Sequence, residues 1–253
     1  MNAGRWLPVV PSRAAPLSLF CFPHAGGGAA LFRPWTAPLA RVGIESCPVQ
    51  LPGREDRFRE EPFRRVDLLV PRVRAVLEPY LDRPYALYGH SMGAIVAFEL
   101  ARALRREGAP PPAHLVVSGR IAPHLVDPRP TLHDLPDDVL LKRLHALGGI
   151  PDALRAAPEL LAVALPLVRA DLELNETYRY VAEPPLPVRL SAYGGADDPK
   201  VDATELSAWS SQTAAEFRQR TFPGGHFFTQ NAREAMLTML GLDLAAGLGS
   251  VTR

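Results

Sequence analysis

The chain has 253 residues, of which 47% are hydrophobic and 22% are charged, a balance typical of a folded globular domain and not of a disordered chain or a coiled coil. Its 28 Lys and Arg residues nearly balance 27 Asp and Glu residues, so the net charge of +1 provides no strong field for nucleic acid or an anionic membrane. No stretch approaches the roughly 18 consecutive apolar residues that a transmembrane helix needs. We therefore expect no nucleic-acid or membrane partner. Because the sequence shows no internal repeat and no low-complexity linker, we expect a single domain over residues 1–253.

The cysteines and the N-terminal segment indicate the compartment. Two cysteines, Cys21 and Cys47, do not make a disulfide framework, and we interpret them as reduced core residues. The first apolar run, residues 17–22, lies between Pro16 and Pro23 and is shorter than the roughly 7–15 apolar residues of a secretory signal. A cytoplasmic protein is therefore expected.

Short apolar runs alternate with helical patterns through most of the chain, which predicts an α/β fold with a mostly parallel central sheet. In chain order, the predicted strands are residues 17–22, 85–88, 114–118, 188–193 and 217–222. The second strand leads into a predicted helix from residue 94 to about residue 107, and a closing helix follows the last strand.

A long stretch between the third and fourth predicted strands, about residues 132–180, carries leucines at helical spacing and no strand signal. Two or three short helices fit this pattern best. An insertion of this size does not help to form the sheet, so we interpret about residues 130–180 as a helical cap, or lid, over the carboxyl edge where α/β proteins bind ligands. The alternative is that these helices simply extend the core.

The sequence Gly89-His-Ser91-Met-Gly93 has the form G-x-S-x-G and lies where a predicted strand meets a predicted helix. A sharp turn at this place exposes the serine hydroxyl at the helix N-terminus. There the helix dipole and the free amide of Met92 favour a developing negative charge. Ser91 is therefore the candidate nucleophile, and the alternative is a serine that only caps the helix.

A serine nucleophile needs a histidine base and an acid that orients this base, in the chain order Ser, Asp, His for this kind of fold. His226 follows the last predicted strand in a Pro-Gly-Gly-His loop. Asp197 and Asp198 follow the strand at residues 188–193. We favour Asp198 because it fills the aspartate place of a Gly-x-x-Asp-Pro turn, and Asp197 remains the second choice.

The remaining histidines have less specific contexts. We expect His24 and His90 to flank the site and shape it. The others are expected to be ordinary surface or cap residues, and no pair of them has the spacing of a metal site: His114, His124, His133 and His145.

The tetrahedral oxyanion of acyl transfer needs a second amide donor, and the loop after the first strand can supply it. This loop, Pro23-His-Ala25-Gly-Gly-Gly28, predicts the backbone N–H of Ala25 as donor beside that of Met92. Three successive glycines could instead cradle a phosphate. However, the chain contains neither G-x-x-x-x-G-K-[ST] nor G-x-G-x-x-G followed by a helix and a distal acid, so nucleotide binding is disfavoured.

Short motifs along nearly the whole chain occur in the order in which one family carries them. The chain resembles the stand-alone type II thioesterases that accompany polyketide synthases and non-ribosomal peptide synthetases, within the α/β-hydrolase superfamily. The motifs are Phe22-Pro-His-Ala-Gly-Gly-Gly28, Phe32-Arg-Pro-Trp35, Gln50-Leu-Pro-Gly-Arg-Glu55, Tyr88-Gly-His-Ser-Met-Gly93, Leu165-Pro-Leu-Val-Arg-Ala-Asp171, Tyr193-Gly-Gly195, Asp198-Pro199 and Pro223-Gly-Gly-His-Phe-Phe228.

The resemblance implies an α/β-hydrolase fold, with helices on both faces of the sheet and a helical lid. It also implies a catalytic set of Ser91, Asp198 and His226, with Ala25 and Met92 as oxyanion donors. The doubled Asp197-Asp198 departs from the family pattern and leaves the identity of the acid slightly open.

The implied activity is hydrolysis of acyl thioesters on the 4′-phosphopantetheine arm of acyl or peptidyl carrier proteins, as an editing enzyme. No cofactor or metal is expected in the protein, its partners would be carrier domains, and we expect a monomer. A general carboxylesterase would use the same residues. A releasing or cyclising thioesterase of a synthase terminus is a further alternative, although the roughly 16 residues before the first predicted strand favour a free-standing protein. A non-catalytic carrier-binding protein is the least favoured interpretation.

Overall fold

The centre of the molecule is a six-stranded sheet in which every pair of neighbours is parallel, in the order β2-β1-β3-β4-β5-β6. The computed structural model describes residues 3–149 and 158–248. The strands are β1 (Leu17–Phe22), β2 (Ile44–Pro48), β3 (Tyr85–His90), β4 (His114–Ser118), β5 (Arg189–Gly195) and β6 (Phe217–Phe222).

Helices connect the strands and cover the sheet. The α-helices in the described ranges are α1 (Thr36–Ala40), α2 (Val66–Leu77), α3 (Met92–Arg106), α4 (Asp137–Ala146), α5 (Pro158–Glu176), α6 (Ala203–Ser207), α7 (Phe228–Asn231) and α8 (Arg233–Leu248). In these same ranges, no helix has the length and apolar character that crossing a bilayer requires.

Two apolar cores lie on opposite faces of the sheet, because successive side chains of a strand point to opposite sides. In β1, Phe20 and Phe22 belong to a core that also contains residues of α2 and α3. Leu19 and Cys21 belong to a second core with residues of α8. Both cysteines, Cys21 and Cys47, are free and buried, as predicted, and burial raises the pKa of Cys21 to about 12.

The predicted parallel sheet is confirmed, with differences in detail. The strands at residues 17–22, 114–118 and 217–222 have the predicted bounds, whereas β3 and β5 each end two residues later than predicted. The sequence interpretation missed β2 and α2. β2 gives a weak sequence signal because this edge strand has only five residues, among them Glu45 and Pro48. It therefore lacks the continuous apolar pattern of the central strands.

The segment between β4 and β5 contains α4 and α5. α5 has nineteen residues, so it is longer than the short helices that leucine spacing predicted. Leu140 of α4 packs against Leu165 and Leu172 of α5 in a small apolar cluster of its own. Residues 150–157 of the predicted cap lie outside the described residues.

The expectation that His114 is a surface or cap residue is wrong. His114 is buried in β4, and its Nε2 lies 2.9 Å from Ser191 Oγ on β5. Burial lowers the pKa of His114 to about 4, so the ring is neutral at pH 7. A single histidine in a short apolar strand gave no sequence signal for this neighbour on another strand.

A buried carboxylate fixes α8 to the sheet. Asp243 accepts hydrogen bonds from Ser191 Oγ at 3.1 Å, Tyr193 OH at 2.6 Å, Arg218 Nη1 at 2.9 Å and Arg220 Nε at 2.8 Å. Burial alone would raise the pKa of Asp243, but the hydrogen bonds from Arg220 and Tyr193 lower it below its usual range. The carboxylate therefore stays charged wherever the protein is folded near neutral pH.

Asp243→Asn should lower the free energy of unfolding by about 2–3 kcal/mol at pH 7, because two arginines lose their anion. Since the pKa of Asp243 is lowered in the folded state, this contribution is present above the ordinary carboxyl pKa of about 4 and is lost as the pH falls below it. Urea unfolding at pH 7 measures the difference. Glu234→Gln, the same change at an exposed position of α8, is the matched control and should stay within about 0.5 kcal/mol of the native protein. Equal unfolding midpoints of the two variants would contradict this account.

Candidate active site

Ser91 lies at the sharp turn between β3 and α3. Its φ of 55° and ψ of −111° are strained for a residue with a side chain. The turn is held because the Ser91 N–H donates to the Ser118 carbonyl at 2.7 Å. A Cβ at Gly89 would lie 2.0 Å from the Gly93 carbonyl oxygen, and a Cβ at Gly93 would lie 2.2 Å from the Phe22 carbonyl oxygen. Both glycines of the motif are therefore required by packing.

The structure brings Ser91, His226 and Asp198 together in one chain of hydrogen bonds. His226 Nε2 lies 3.0 Å from Ser91 Oγ, and His226 Nδ1 lies 2.9 Å from Asp198 Oδ2. A carboxylate only accepts, so Nδ1 carries the proton and Nε2 is free to accept from the serine hydroxyl. The second oxygen of Asp198 accepts from the backbone N–H of Lys200 at 2.8 Å, which fixes the carboxylate in its plane.

Close packing of two loops decides which aspartate reaches the histidine. A Cβ at Gly195 would lie 2.3 Å from the Gly225 carbonyl oxygen, so the loops after β5 and β6 touch where neither has a side chain. The Asp197 N–H donates to the Gly224 carbonyl at 3.0 Å, but the Asp197 side chain is exposed. Asp198 is the buried neighbour of His226, as the turn pattern favoured.

The surroundings of His226 keep the imidazole neutral. Burial lowers its pKa below the usual value, the hydrogen bond to Asp198 raises it, and the charges of Lys200 and Arg129 lower it further. The ring of His90 lies 5.2 Å from that of His226, and Phe227 meets His226 edge-on at 5.1 Å. A neutral imidazole beside a serine hydroxyl is suited to accept the hydroxyl proton.

Two amides near Ser91 have no hydrogen-bond acceptor among the described residues. Met92 is the first residue of α3, so its N–H has no partner within the helix. In the loop after β1, the Gly26 N–H donates to Asp171 and the Gly27 N–H donates to the His24 carbonyl, whereas the Ala25 N–H donates to nothing. Both amides are thus available to an anion at the carboxyl edge of the sheet.

Sequence reasoning gave no role to a buried ion pair beside this loop. Arg54 Nη1 and Nη2 each lie 2.8 Å from one oxygen of Asp171. In the sequence, each of the two residues is part of a different family motif. Their separation of 117 positions hides the pairing, which requires that α5 pack against the loop after β2.

A cavity of about 770 Å³ lies next to the Asp198 loop, since Pro199 and Lys200 line it. It lies beyond the ends of β4 and β5, between the segment after β4 and the ends of α4 and α5. Its walls carry more cations than anions. The charged lining residues are Arg120, Asp127, Arg129, Arg143, Glu176, Arg179 and Lys200.

Residues 17–242 match the family model described as the Thioesterase domain. The chain belongs to this family. RedJ, the thioesterase from the prodiginine biosynthetic pathway in Streptomyces coelicolor, has 41% identity and a TM-score of 0.86, with 93% of this chain and 90% of RedJ covered. BorB, the type II thioesterase of the borrelidin biosynthetic cluster, has 39% identity and a TM-score of 0.84, with 93% and 95% covered.

A third relative carries a different name. It is the Brevibacillus parabrevis protein called linear gramicidin dehydrogenase LgrE, which is 41% identical to this chain, with 98% of the chain and 95% of LgrE covered. Taken together, the relatives confirm the resemblance to type II thioesterases of polyketide and non-ribosomal peptide pathways. The α/β-hydrolase fold is confirmed with it, and thioester hydrolysis is the activity of the family.

The identity of the acid can be tested with two neighbouring substitutions. Asp198→Asn should lower kcat by about 1,000- to 10,000-fold, because an amide at this position favours the wrong tautomer of His226. Asp197→Asn makes the same change at an exposed side chain and should keep kcat within about 2-fold of the native value. Hydrolysis of an acyl-pantetheine thioester measures both. A larger loss in Asp197→Asn than in Asp198→Asn would reverse the assignment.

The pH dependence of kcat/KM should reveal the lowered pKa of His226. A base role for His226 requires the neutral ring, so on this assignment the rate should fall in acid with an apparent pKa below the ordinary 6.5. Lys200→Met should raise this apparent pKa, since one nearby positive charge no longer opposes protonation. Lys142→Met changes the other lysine of the chain, which is exposed; it is the control and should leave the profile unchanged. An unshifted profile in Lys200→Met would contradict the proposed electrostatic effect.

Proposed function

We propose that the protein hydrolyses acyl thioesters carried on the 4′-phosphopantetheine arm of acyl or peptidyl carrier proteins, with Ser91 as nucleophile. The supporting observation is the hydrogen-bonded series Ser91, His226 and Asp198 at the carboxyl edge of the sheet, beside two amides without acceptors. In a thioesterase-family chain, this arrangement is suited to acyl transfer through serine.

The chemistry follows in two halves. His226 Nε2 takes the proton of Ser91 Oγ as this oxygen attacks the thioester carbonyl, and the N–H groups of Ala25 and Met92 stabilise the oxyanion. The carbon–sulfur bond then breaks, and the thiol leaves with the proton from His226. In the second half, His226 takes a proton from water, the resulting hydroxide attacks the acyl-serine, and the acid is released as Ser91 regains its proton. No cofactor or metal takes part in this proposal.

The cavity that Pro199 and Lys200 line, next to Asp198 in the chain, is the proposed place of the acyl group. Its volume of about 770 Å³ lies in the usual range of ligand pockets, about 300–1,000 Å³, so it has room for acyl groups of different sizes. We interpret the segment at about residues 130–180 as a cap inserted into a single domain, under which the pantetheine arm enters. Tolerance of varied acyl groups suits an editing enzyme that clears stalled units from a carrier.

The name of LgrE raises hydride transfer as an alternative, which would need a dinucleotide. The glycine loop after β1 is poorly suited to a phosphate. A Cβ at Gly28 would lie 2.1 Å from Glu55 Oε1, and the same carboxylate oxygen accepts from the Ala30 N–H at 3.0 Å. Because an anionic side chain already occupies this end of the loop, a phosphate there would meet like charge.

Two further alternatives share the serine chemistry. A general carboxylesterase would turn over oxygen esters as readily as carrier thioesters. A releasing or cyclising thioesterase would act on long peptidyl or polyketide chains and favour an internal nucleophile over water. Substrate preference and product identity distinguish these from an editing enzyme.

The decisive experiment compares one short acyl group in three forms: on a carrier protein, on free pantetheine and as an oxygen ester. We expect kcat/KM to be highest for the carrier thioester and lowest for the oxygen ester. Ser91→Ala should lower kcat by at least about 10,000-fold, because the nucleophile is lost. Equal turnover of the oxygen ester would indicate a general esterase, and activity that survives in Ser91→Ala would refute the assigned nucleophile.

A further inference from the structure

The ion pair between Arg54 and Asp171 joins α5 to the loop after β2, and it is almost completely buried. Arg54 is 4% exposed and Asp171 is 1% exposed. The contact is bidentate, with both nitrogen–oxygen distances at 2.8 Å. Replacing a buried ion pair of this kind by apolar residues is often neutral or stabilising. Stability alone is therefore a weak explanation for two charges at this place.

Each partner also holds the loop that contains Ala25. Asp171 Oδ2 accepts a hydrogen bond from the Gly26 N–H at 2.7 Å. Arg54 Nη1 donates to the Gly27 carbonyl at 2.9 Å. The carboxylate of Asp171 thus binds the backbone N–H of Gly26, and the guanidinium of Arg54 binds the backbone carbonyl of the next residue, Gly27.

The held segment is a tight turn whose central peptide group has two possible orientations. The Gly27 N–H donates to the His24 carbonyl at 2.9 Å, and Gly26 has a φ of 77°, the combination found in a type II turn. In a type I turn, the peptide group between Ala25 and Gly26 is flipped. Asp171 holds the N–H side of this peptide group, and His24 Nδ1, at 2.9 Å from the Ala25 carbonyl oxygen, holds the other side.

We propose that Arg54 and Asp171 are positioning residues for the oxyanion donor: their ion pair fixes the turn that carries the Ala25 N–H, and so fixes the position of this donor, which has no acceptor among the described residues. This inference rests on the proposed function, in which Ala25 and Met92 stabilise the oxyanion. Neither Arg54 nor Asp171 contacts the reacting atoms. They act through the backbone of Gly26 and Gly27. Their loss should therefore lower the stabilisation of the transition state more than it lowers the affinity for the substrate.

Asp171→Asn tests this by removing the charge while keeping an oxygen for the Gly26 N–H. We expect kcat to fall by about 10- to 100-fold, because the donor is misplaced and not deleted, with KM within about 3-fold of the native value. Glu173→Gln is the matched control. It makes the same change on the same helix and breaks an ion pair of similar length, Arg64 Nη1 to Glu173 Oε2 at 2.7 Å, which does not contact the loop. This control should keep the native kcat.

A second measurement reports on the oxyanion itself. A trifluoromethyl ketone binds to the serine as a hemiketal and presents the oxyanion, whereas an acyl-pantetheine thioether does not react. In Asp171→Asn, affinity for the ketone should fall by the same factor as kcat/KM, and affinity for the thioether should not change. Equal losses for both ligands would mean a general loosening of the site and would overturn the proposal.

The double substitution Arg54→Met with Asp171→Leu separates positioning from stability. An apolar pair of similar size should offset most of the stability lost with the ion pair, so that the variant stays folded in the assay, but it provides no partner for the Gly26 N–H and the Gly27 carbonyl. We expect kcat to stay at least as low as in Asp171→Asn. Recovery of native kcat in this variant would overturn the positioning role.

If the native protein showed no hydrolysis dependent on Ser91, the proposed function and this inference would fail together. Native-level kcat in Asp171→Asn, beside Ser91-dependent activity in the native protein, would overturn this inference alone.

Discussion

All six strands run in the same direction, and the position of the candidate active site depends on this constraint. Loops that leave β1, β3, β5 and β6 meet at one edge, so residues far apart in the chain, such as His24 and Phe227, become neighbours there. The helix after β3 adds its N-terminus, and the loop after β1 adds a free amide. The groups come from four separate parts of the chain: the serine with the Met92 amide, the imidazole, the carboxylate and the Ala25 amide. The sheet gives them a common frame.

Close backbone contact is the second requirement of the site. Gly89, Gly93 and Gly195 each face a backbone carbonyl oxygen at a distance that would not admit a Cβ. The first two allow the strained turn at Ser91, and the third lets the Asp198 loop touch the His226 loop. The strain at Ser91 is offset by packing on both sides of the turn, which keeps the hydroxyl fixed toward His226.

The charged groups around the site have different effects on its two sides, at His226 and at the loop that contains Ala25. Burial and nearby cations keep His226 neutral, Asp198 fixes its tautomer, and the lining of the adjoining cavity is rich in arginine. Beside the loop after β1, the charges of Arg54 and Asp171 neutralise each other. Each of the two side chains also forms a hydrogen bond with the backbone of this loop, next to Ala25.

The sequence by itself determined the local features, because strand periodicity, the glycines around Ser91 and the Pro-Gly-Gly loop before His226 are properties of neighbouring residues. It identified the three residues that the structure joins by hydrogen bonds, and it favoured Asp198 over Asp197 from a turn pattern. Only the tertiary structure decided what depends on distant segments: the edge strand β2, the burial of His114 against β5, and the pairing of Arg54 with Asp171. These contacts arise from packing between elements far apart in the chain, and a single sequence carries no periodic signal for such pairs.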